Sequence, residues 1–213
     1  SNYIMKGYTK EVPLEDIVSI GKKYKIPVVA DLGSGSFIDM SNFDIPSELP
    51  VSEIVKKGPD ITLFSGDKML GGPQSGIILS TKILINIIKS NSIYRTVRCD
   101  KITIAILDDI LRSYKKNGFL KSNLALMLLT KDRKTLKKMA EEIINSVQEH
   151  KLRTLGLTIE DSMVEAGSGS LPEKNLKSVT LKFSPKNMSI DIISKSFKQY
   201  KVPIIGYINR NSF

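Results

Sequence analysis

The chain contains a single cysteine, Cys99, among its 213 residues, so no disulfide can form within it. This cysteine usage is typical of proteins from reducing compartments. Apolar runs are also short: none approaches the roughly 20 residues that a membrane-spanning helix needs, and the first residues have no signal-peptide pattern. We therefore expect a cytoplasmic protein without a membrane-spanning segment, and we identify no residues with the pattern of a metal site.

Basic residues outnumber acidic ones, and the surplus is concentrated in one part of the chain. The net charge is +10, and eleven Lys and Arg residues stand against four acidic residues between Arg112 and Arg153. Because this stretch is predicted to be helical, one helical face should be strongly positive. A polyanionic partner such as RNA explains such a face, and so does a solvated basic surface. Charge alone does not decide between the two.

The first half of the chain alternates between short apolar strands and amphipathic helices. Strands are predicted at 26–30, 61–64 and 77–80, and helices near 14–21, 51–57 and 82–89. Helices between apolar strands indicate an α/β fold with a mostly parallel sheet, and a strand such as 26–30 has the pattern of one buried on both faces.

The pattern changes to α+β in the second half. Helices are predicted over 101–115, through most of 122–149 and over 189–200, and strands over 178–183 and 202–208. We therefore place a smaller α+β domain at 113–213, after a first domain at 1–112. The chain also begins within a pattern, at 3–5, and three strands make a thin sheet for an independent domain. We expect it to be a fragment of a longer protein.

Reactive side chains follow two of the predicted strands. Asp31 ends the first, before a glycine-rich loop, and Ser65 and Lys68 follow the second. Ligands of open α/β sheets bind beyond the carboxyl ends of strands. Pyridoxal phosphate matches these residues, because its aldehyde condenses with a lysine and its pyridine nitrogen needs a carboxylate.

The phosphate of that cofactor requires hydroxyl and backbone N–H donors. Ser65 and the Gly71-Gly72 turn can offer both. The structural alternative is a buried Asp–Lys ion pair beside an ordinary glycine loop, since structural pairs outnumber catalytic ones. The combination of Asp31, Ser-x-x-Lys and a Gly-Gly-Pro-Gln turn favours the cofactor.

Two arginines, Arg95 and Arg98, stand three residues apart after the third strand. This spacing allows a clamp for a tetrahedral oxyanion. The alternative is that each arginine pairs with a nearby carboxylate, such as Asp100 or Asp108. The spacing leaves both possibilities open.

Together these segments resemble a known family. Residues 31–36, 64–76 and 95–101 are similar, in order and spacing, to the bacterial selenocysteine synthases, the L-seryl-tRNA(Sec) selenium transferases, which are fold-type-I pyridoxal-phosphate enzymes. Residues 165–172 resemble the glycine loop of the small domain of that family. The block from Ser65 to Gln74 is the most specific part of the resemblance.

The resemblance implies a role for each matching residue. Lys68 corresponds to the lysine that carries the cofactor as a Schiff base, and Asp67 to its acidic catalytic neighbour. Asp31 corresponds to the partner of the pyridine nitrogen, and Ser65 to a phosphate contact. Arg95 and Arg98 match the arginines that hold selenophosphate. Gly71 and Gly72, the turn that can offer N–H groups to the cofactor phosphate, complete the candidate site.

The implied reaction removes water from the seryl group on tRNA(Sec) and adds selenium from selenophosphate to the resulting dehydroalanyl group. On this reading, 1–112 is the second half of the pyridoxal-phosphate-binding large domain, and 113–213 is the small C-terminal domain. The resemblance then implies a homo-oligomer built from dimers, with active sites at the dimer interface, for the intact enzyme. Members of the family form larger rings. The fragment alone is expected to be inactive.

Two other functions are compatible with the sequence. A related pyridoxal-phosphate lyase acting on a small amino acid or amino sugar acid would share Asp31 and Lys68 but would not need the two arginines. A non-catalytic RNA-binding module would depend on the basic helices instead of Lys68, although the aromatic platforms typical of RNA readers are not evident.

Overall fold

The computed structural model describes residues 7–8, 10–43, 45, 49–116, 118–165 and 175–213. The chain divides into two compact units. The first comprises 1–130 with 165–174, and the second comprises 131–164 with 175–213. The predicted glycine loop beyond residue 165 and the opening pattern at 3–5 lie outside the described residues.

The first unit is a mixed α/β structure. Its helices are α1 (Leu14–Tyr24), α2 (Val51–Lys56), α3 (Lys82–Ser90), α4 (Ser92–Thr96), α5 (Lys101–Ser113), α6 (Phe119–Ser122) and α7 (Leu124–Leu129), with a 3-10 turn at Met40–Phe43. Its strands are β1 (Val29–Asp31), β2 (Ile61–Ser65) and β3 (Gly76–Ser80).

Several helices in both units begin after short polar residues whose side chains cap them. The Thr81 hydroxyl accepts from Leu84 N–H at the start of α3. Asp100 accepts from the N–H groups of Ile102 and Thr103 at the start of α5. These bonds satisfy N–H groups that have no partner within the helix. The hydrogen bonds from Thr103 also hold the pKa of Asp100 below its usual value.

The sheet of the first unit has the order β1-β2-β3, and it is less parallel than predicted. β1 and β2 are parallel, whereas β2 and β3 are antiparallel. The segment between β2 and β3 contains turns and no crossover helix, and Gly66 N–H donates to Ser75 O across its base at 2.8 Å. An antiparallel pair needs only such a loop, whereas a parallel pair needs a long crossover.

The core of the first unit lies against β2. Val51, Phe64 and Leu70 are buried together, and the ring of Phe37 packs edge-on to that of Phe64 at a centroid distance of 5.7 Å. β1 is not buried on both faces as predicted, since Val29 remains 52% exposed. β1 is also an edge strand of the sheet in the described part of the chain.

The first unit continues beyond the predicted domain boundary at 112/113. Tyr114 and Asn123 both donate hydrogen bonds to the carbonyl of Leu70, and this joins residues up to Thr130 to the α/β unit. The assignment of 1–112 and 113–213 to two domains of the intact enzyme stays a prediction.

The second unit contains a two-stranded sheet and three helices within its described residues. They are α8 (Arg133–Asn145), α9 (Glu149–Leu155), β4 (Leu157–Glu165), β5 (Asn175–Phe183) and α10 (Ile190–Lys198). The rings of Phe183, Phe197 and Phe213 form a cluster with centroid distances of 5.3 to 6.1 Å. A bidentate pair joins Arg133 to Asp161, with N–O distances of 2.7 and 2.6 Å.

The predicted strand at 202–208 does not form. Ile204 N–H donates to Phe197 O at the end of α10, and Pro203 has no N–H to contribute to a ladder. Residues at the end of the chain pair with β5 instead, through two backbone hydrogen bonds between Phe183 and Phe213. Across the described ranges, no helix has the length and apolar character needed to cross a membrane.

Candidate active site

The parallel pairing of β1 and β2 brings their carboxyl ends to one edge of the sheet. Asp31 is in register with Leu63, and Leu32 N–H donates to Leu63 O at 2.9 Å. Beyond the strands, Ser65 N–H donates to Gly33 O at 3.1 Å. The structure therefore places the loop after Asp31 directly beside the start of the loop that carries Lys68.

Lys68 lies within a closed turn at 66–72, which we call the lysine loop. Gly72 N–H donates to Gly66 O at 2.8 Å, and Gly71 N–H donates to Lys68 O at 2.9 Å. Met69 N–H donates to Ser34 O at 3.3 Å, which ties the loop to the segment after β1. These bonds hold the backbone on the C-terminal side of Lys68.

Burial alternates sharply around Lys68. Asp67 is exposed and Lys68 is half-buried, whereas Met69 and Leu70 are fully buried in the core. Two buried apolar residues therefore anchor the loop, while the lysine and the preceding carboxylate remain at the surface of the unit. This is a suitable arrangement for a side chain that must react with a bound molecule.

Asp31 lies beside this loop but is exposed. Its Oδ1 accepts a hydrogen bond from Gly33 N–H at 3.1 Å. Asp31 is therefore not the buried carboxylate that the alternative of a buried Asp–Lys ion pair requires, because an exposed carboxylate keeps its hydration. The proximity of Asp31 to the lysine loop rests on strand register instead.

Gly71 and Gly72 have a structural role within the loop. Their N–H groups, which were predicted to bind a phosphate, already donate hydrogen bonds within the loop. Gly71 has a φ of +71°, and a Cβ on it would overlap Asn123 Oδ1. Only glycine adopts this conformation without strain. Contact of either glycine with a cofactor stays a prediction.

Replacing Gly71 with alanine is expected to lower the free energy of unfolding by roughly 1–3 kcal/mol, from left-handed strain and the contact with Asn123. Gly76→Ala is the matched control, because a Cβ at Gly76 meets nothing within 4 Å and its φ is not positive. Its effect should stay within about 0.5 kcal/mol. Urea unfolding measures both, and equal stabilities of the two variants would contradict the role of Gly71.

Sequence reasoning missed two residues that contact the lysine loop. The Tyr114 hydroxyl donates to Leu70 O at 2.9 Å, and Asn123 Nδ2 donates to the same oxygen at 2.8 Å. Asn123 also caps α7, because its Oδ1 accepts from Leu126 N–H. An asparagine before an apolar helical run is a readable capping signal, but no sequence signal connects either residue to Leu70.

Burial of the phenol raises the pKa of Tyr114 to about 12. An unfolded tyrosine titrates near pH 10, so the unfolded chain loses this proton first. The contribution of Tyr114 to stability is therefore complete below about pH 10 and is lost as the pH rises toward 12. Between pH 9 and 11, the protein should lose about 1 kcal/mol more stability than its Tyr114→Phe variant. Chemical unfolding at each pH measures the stability of both proteins, and an equal loss of stability in the two would refute the prediction.

The structure places the two predicted arginines differently with respect to one groove. A groove of about 520 Å³ is lined by Gly76, Ile78, Lys89, Tyr94, Val97, Arg98, Cys99 and Ile104. Arg98 therefore contributes to the groove, and Arg95 is exposed and is not among its lining residues. Lys89 adds a second cationic side chain that sequence reasoning missed.

The carboxylates considered as alternative partners of these arginines have other contacts. Asp100 caps α5, and Asp108 forms an ion pair with Arg112 at 2.7 Å. The groove also begins at Gly76, next to Ser75, whose carbonyl accepts from Gly66 in the lysine loop. The loop 66–76 thus connects the two candidate regions.

The first unit is a mixed α/β structure with a lysine loop beyond one strand and a carboxylate at the end of the neighbouring strand. The fold is similar to that of a solved D-glucosaminate-6-phosphate ammonia-lyase, with a TM-score of 0.55 and 15% sequence identity. The match covers 95% of this chain and 45% of the lyase.

The family model described as "SelA: L-seryl-tRNA selenium transferase" matches residues 1–213. The chain belongs to this family of transferases. The matched range covers the whole chain, and the positions of the lysine loop, Asp31 and both arginines lie within it.

Relatives named L-seryl-tRNA(Sec) selenium transferase support the same membership. The protein from Carboxydothermus hydrogenoformans is 34% identical over 213 residues, and that from Mannheimia succiniciproducens is 38% identical over 213 residues. The protein from Desulfotalea psychrophila is 37% identical over 214 residues. The matches cover 99–100% of this chain but 46% of each relative, so the chain spans about half the length of these proteins.

Proposed function

We propose that the full-length protein containing this chain converts seryl-tRNA(Sec) to selenocysteinyl-tRNA(Sec) with selenophosphate as the selenium donor. The observation that carries the proposal is the match of the family model over 1–213. The lysine loop beside the end of β1 supports it, since it presents a half-buried lysine at a sheet edge where ligands of α/β folds bind.

The residues at this edge fit pyridoxal phosphate by the chemistry of their donor groups. Lys68 supplies an amine, Asp31 a carboxylate and Ser65 a hydroxyl. Asp31 and Ser65 are the last residues of β1 and β2, and Lys68 follows β2 by three residues. When bound, the cofactor withdraws electrons from the α-carbon of an amino acid attached to it. We propose that the fold is part of a fold-type-I pyridoxal-phosphate domain.

Each residue of this edge then has a defined task. Lys68 would hold the cofactor through its aldehyde, and its amine would be the group that moves the α-proton of the substrate. The Asp31 carboxylate would hold the pyridine nitrogen of the cofactor, and the Ser65 hydroxyl would hold its phosphate. The exposed carboxylate of Asp67 lies next to Lys68 in sequence and is the family's acidic neighbour of the lysine. Its role is part of the proposal.

The groove on the other side of loop 66–76 suits the selenium donor. Arg98 and Lys89 both line it, so its charge favours a tetrahedral anion, and Tyr94 adds a hydroxyl. Arg98 offers the bidentate geometry that phosphate-like groups prefer. We propose that Arg98 is the principal contact of selenophosphate and that Arg95 is a secondary one.

The tRNA substrate is consistent with the charge of the second unit. α8 carries several exposed lysines, but Lys137 and Lys138 each have a carboxylate one turn away at 4.0 Å, in Glu141 and Glu142. Such exposed pairs are weak, so the face still attracts a polyanion. We propose that the enzyme works in the cytoplasm, where charged tRNA is used, as a homo-oligomer built from dimers.

The full-length protein, supplied with pyridoxal phosphate, seryl-tRNA(Sec) and selenophosphate, should form selenocysteinyl-tRNA(Sec). Small amino acids and amino sugar acids should not be deaminated at a comparable rate. Deamination of these compounds without selenium transfer would instead establish the lyase alternative. For a non-catalytic RNA-binding module, Lys68→Ala would leave function intact, whereas reversing the charges of Lys134, Lys137 and Lys138 would abolish it.

A further inference from the structure

The Leu70 carbonyl is held by two side chains from outside the lysine loop. Leu70 is 0% exposed and Asn123 is 2% exposed, so their hydrogen bond is sealed from water. Tyr114 donates the second bond to the same oxygen. A buried carbonyl with two donors is costly to move, because any displacement leaves a desolvated polar group without a partner.

The two donors are themselves fixed. Tyr114 follows the last residue of α5, and its ring packs against those of Phe37 and Phe119, with centroid distances of 5.3 and 5.1 Å. Asn123 is the cap of α7, and its Nδ2 also lies 3.3 Å from the Tyr114 hydroxyl. The Leu70 carbonyl is therefore attached to the end of one helix and the start of another.

The internal bonds of the lysine loop define its shape but not its position. Gly72 to Gly66 and Gly71 to Lys68 are both bonds within the loop. The loop is also attached through Met69 N–H, which donates to the segment after β1, and through the Leu70 carbonyl. These last two attachments are at the two residues that follow Lys68.

We propose that Tyr114 and Asn123 are positioning residues for Lys68: by holding the Leu70 carbonyl, they set the position of the lysine amine relative to Asp31. The inference rests on the proposed function, because it concerns the residue that carries the cofactor. Reaction of the lysine with an aldehyde is sensitive to such placement, since misplacement of about 1 Å is costly for a bound reactant.

The test uses the full-length protein with the single variants Tyr114→Phe and Asn123→Ser. Phenylalanine keeps the ring contacts and removes only the hydroxyl. Serine keeps an oxygen that can cap α7 but is too short to reach Leu70. Tyr24→Phe is the matched control, because Tyr24 is 61% exposed on α1.

The probe is pyridoxal phosphate, titrated at a temperature well below unfolding and trapped on the protein by borohydride, with the labelled peptide identified by mass spectrometry. Both variants should need about threefold to tenfold more pyridoxal phosphate for half-maximal labelling of Lys68, the effect of one lost hydrogen bond. In both variants, hydrogen exchange at the Gly71 and Gly72 amides should also be faster than in the unaltered protein and in Tyr24→Phe.

The outcomes separate this inference from the proposed function. Labelling that misses Lys68 in the unaltered protein would refute the cofactor role on which the inference depends. Labelling of Lys68 with the same half-maximal concentration in all variants would overturn the positioning role alone, even if the melting temperatures of Tyr114→Phe and Asn123→Ser were lower. Weaker labelling in both variants and unchanged labelling in Tyr24→Phe would support it.

Discussion

Lys68→Ala in the full-length protein is expected to abolish covalent attachment of pyridoxal phosphate and to reduce selenium transfer by at least about 10³-fold, because the variant loses both the attachment point and the group that moves the α-proton. The half-buried lysine lies between an exposed Asp67 and the buried Met69 and Leu70. Its removal should therefore leave the anchors of the loop in place.

The measurement combines the absorbance spectrum with added cofactor and the rate of selenocysteinyl-tRNA formation. Lys22→Ala provides the control, because Lys22 is exposed on α1, away from the lysine loop in sequence and outside its hydrogen bonds. It should retain full activity. Substantial activity in Lys68→Ala would remove Lys68 from the mechanism, whereas an unfolded variant would show itself by a loss of helical circular dichroism.

Arg98→Ala is expected to raise the KM for selenophosphate by about 10- to 100-fold, the effect of a lost charge-assisted contact. The structure distinguishes this residue from Arg95, although the sequence treats the two alike. Arg98 lines the groove with Lys89 and Tyr94, whereas Arg95 is not among the lining residues. Arg95→Ala should therefore have a clearly smaller effect.

Steady-state kinetics with varied selenophosphate and saturating seryl-tRNA(Sec) measure both variants. Arg98→Lys serves as a second comparison, since lysine keeps the charge but not the bidentate geometry, and it should recover only part of the loss. If Arg95→Ala and Arg98→Ala raise KM equally, the two arginines act as one clamp, as the spacing suggests. A change confined to the KM for tRNA would refute the assignment of Arg98.

The difference between the two arginines illustrates what spacing can predict. Two residues three apart lie on one side of a helix only if the helix continues through both. α4 ends at Thr96, so Arg95 is helical and Arg98 is not. The helix end separates the directions of the two side chains, and no local pattern in 92–98 announces it.

The direction of β3 is a similar case. An apolar run that follows another predicts a strand, but its direction depends on the path of the connection. The turn at 66–75 is closed by a backbone bond between Gly66 and Ser75, and this reverses the chain within a few residues. Backbone hydrogen bonds of this kind leave no trace in side-chain composition, so the prediction of a mostly parallel sheet was wrong for β3.

Residues 202–208 show a different error, in which a predicted strand does not form. Their β-branched composition predicts a strand, yet a strand forms only where a neighbouring edge accepts its backbone groups. Within the described part of the second unit, Phe213 pairs with Phe183 and Ile204 N–H bonds to the end of α10. The strand propensity of a segment shows that it can form a strand, and the backbone groups available nearby decide whether it does.

The sequence by itself determined the family of this protein and the residue types of its candidate site. The lysine, its acidic neighbour, the strand-end carboxylate and the arginines are specified by residue type and order, and the same order places the chain in its family. These features are local, and so they can be read along the chain. Most helices and strands follow from local patterns as well. The exceptions among the described residues are 202–208, which forms no strand, and α4, α6, α9, β4 and the 3-10 turn, which were not predicted.

Only the tertiary structure decided how those groups are held. It showed that Asp31 is exposed, that Arg98 and Lys89 share a groove, and that Tyr114 and Asn123 hold the loop of Lys68 through Leu70. Each of these facts depends on contacts between residues far apart in the chain. Such contacts are set by packing and by the need to satisfy buried polar groups, and no local pattern specifies them.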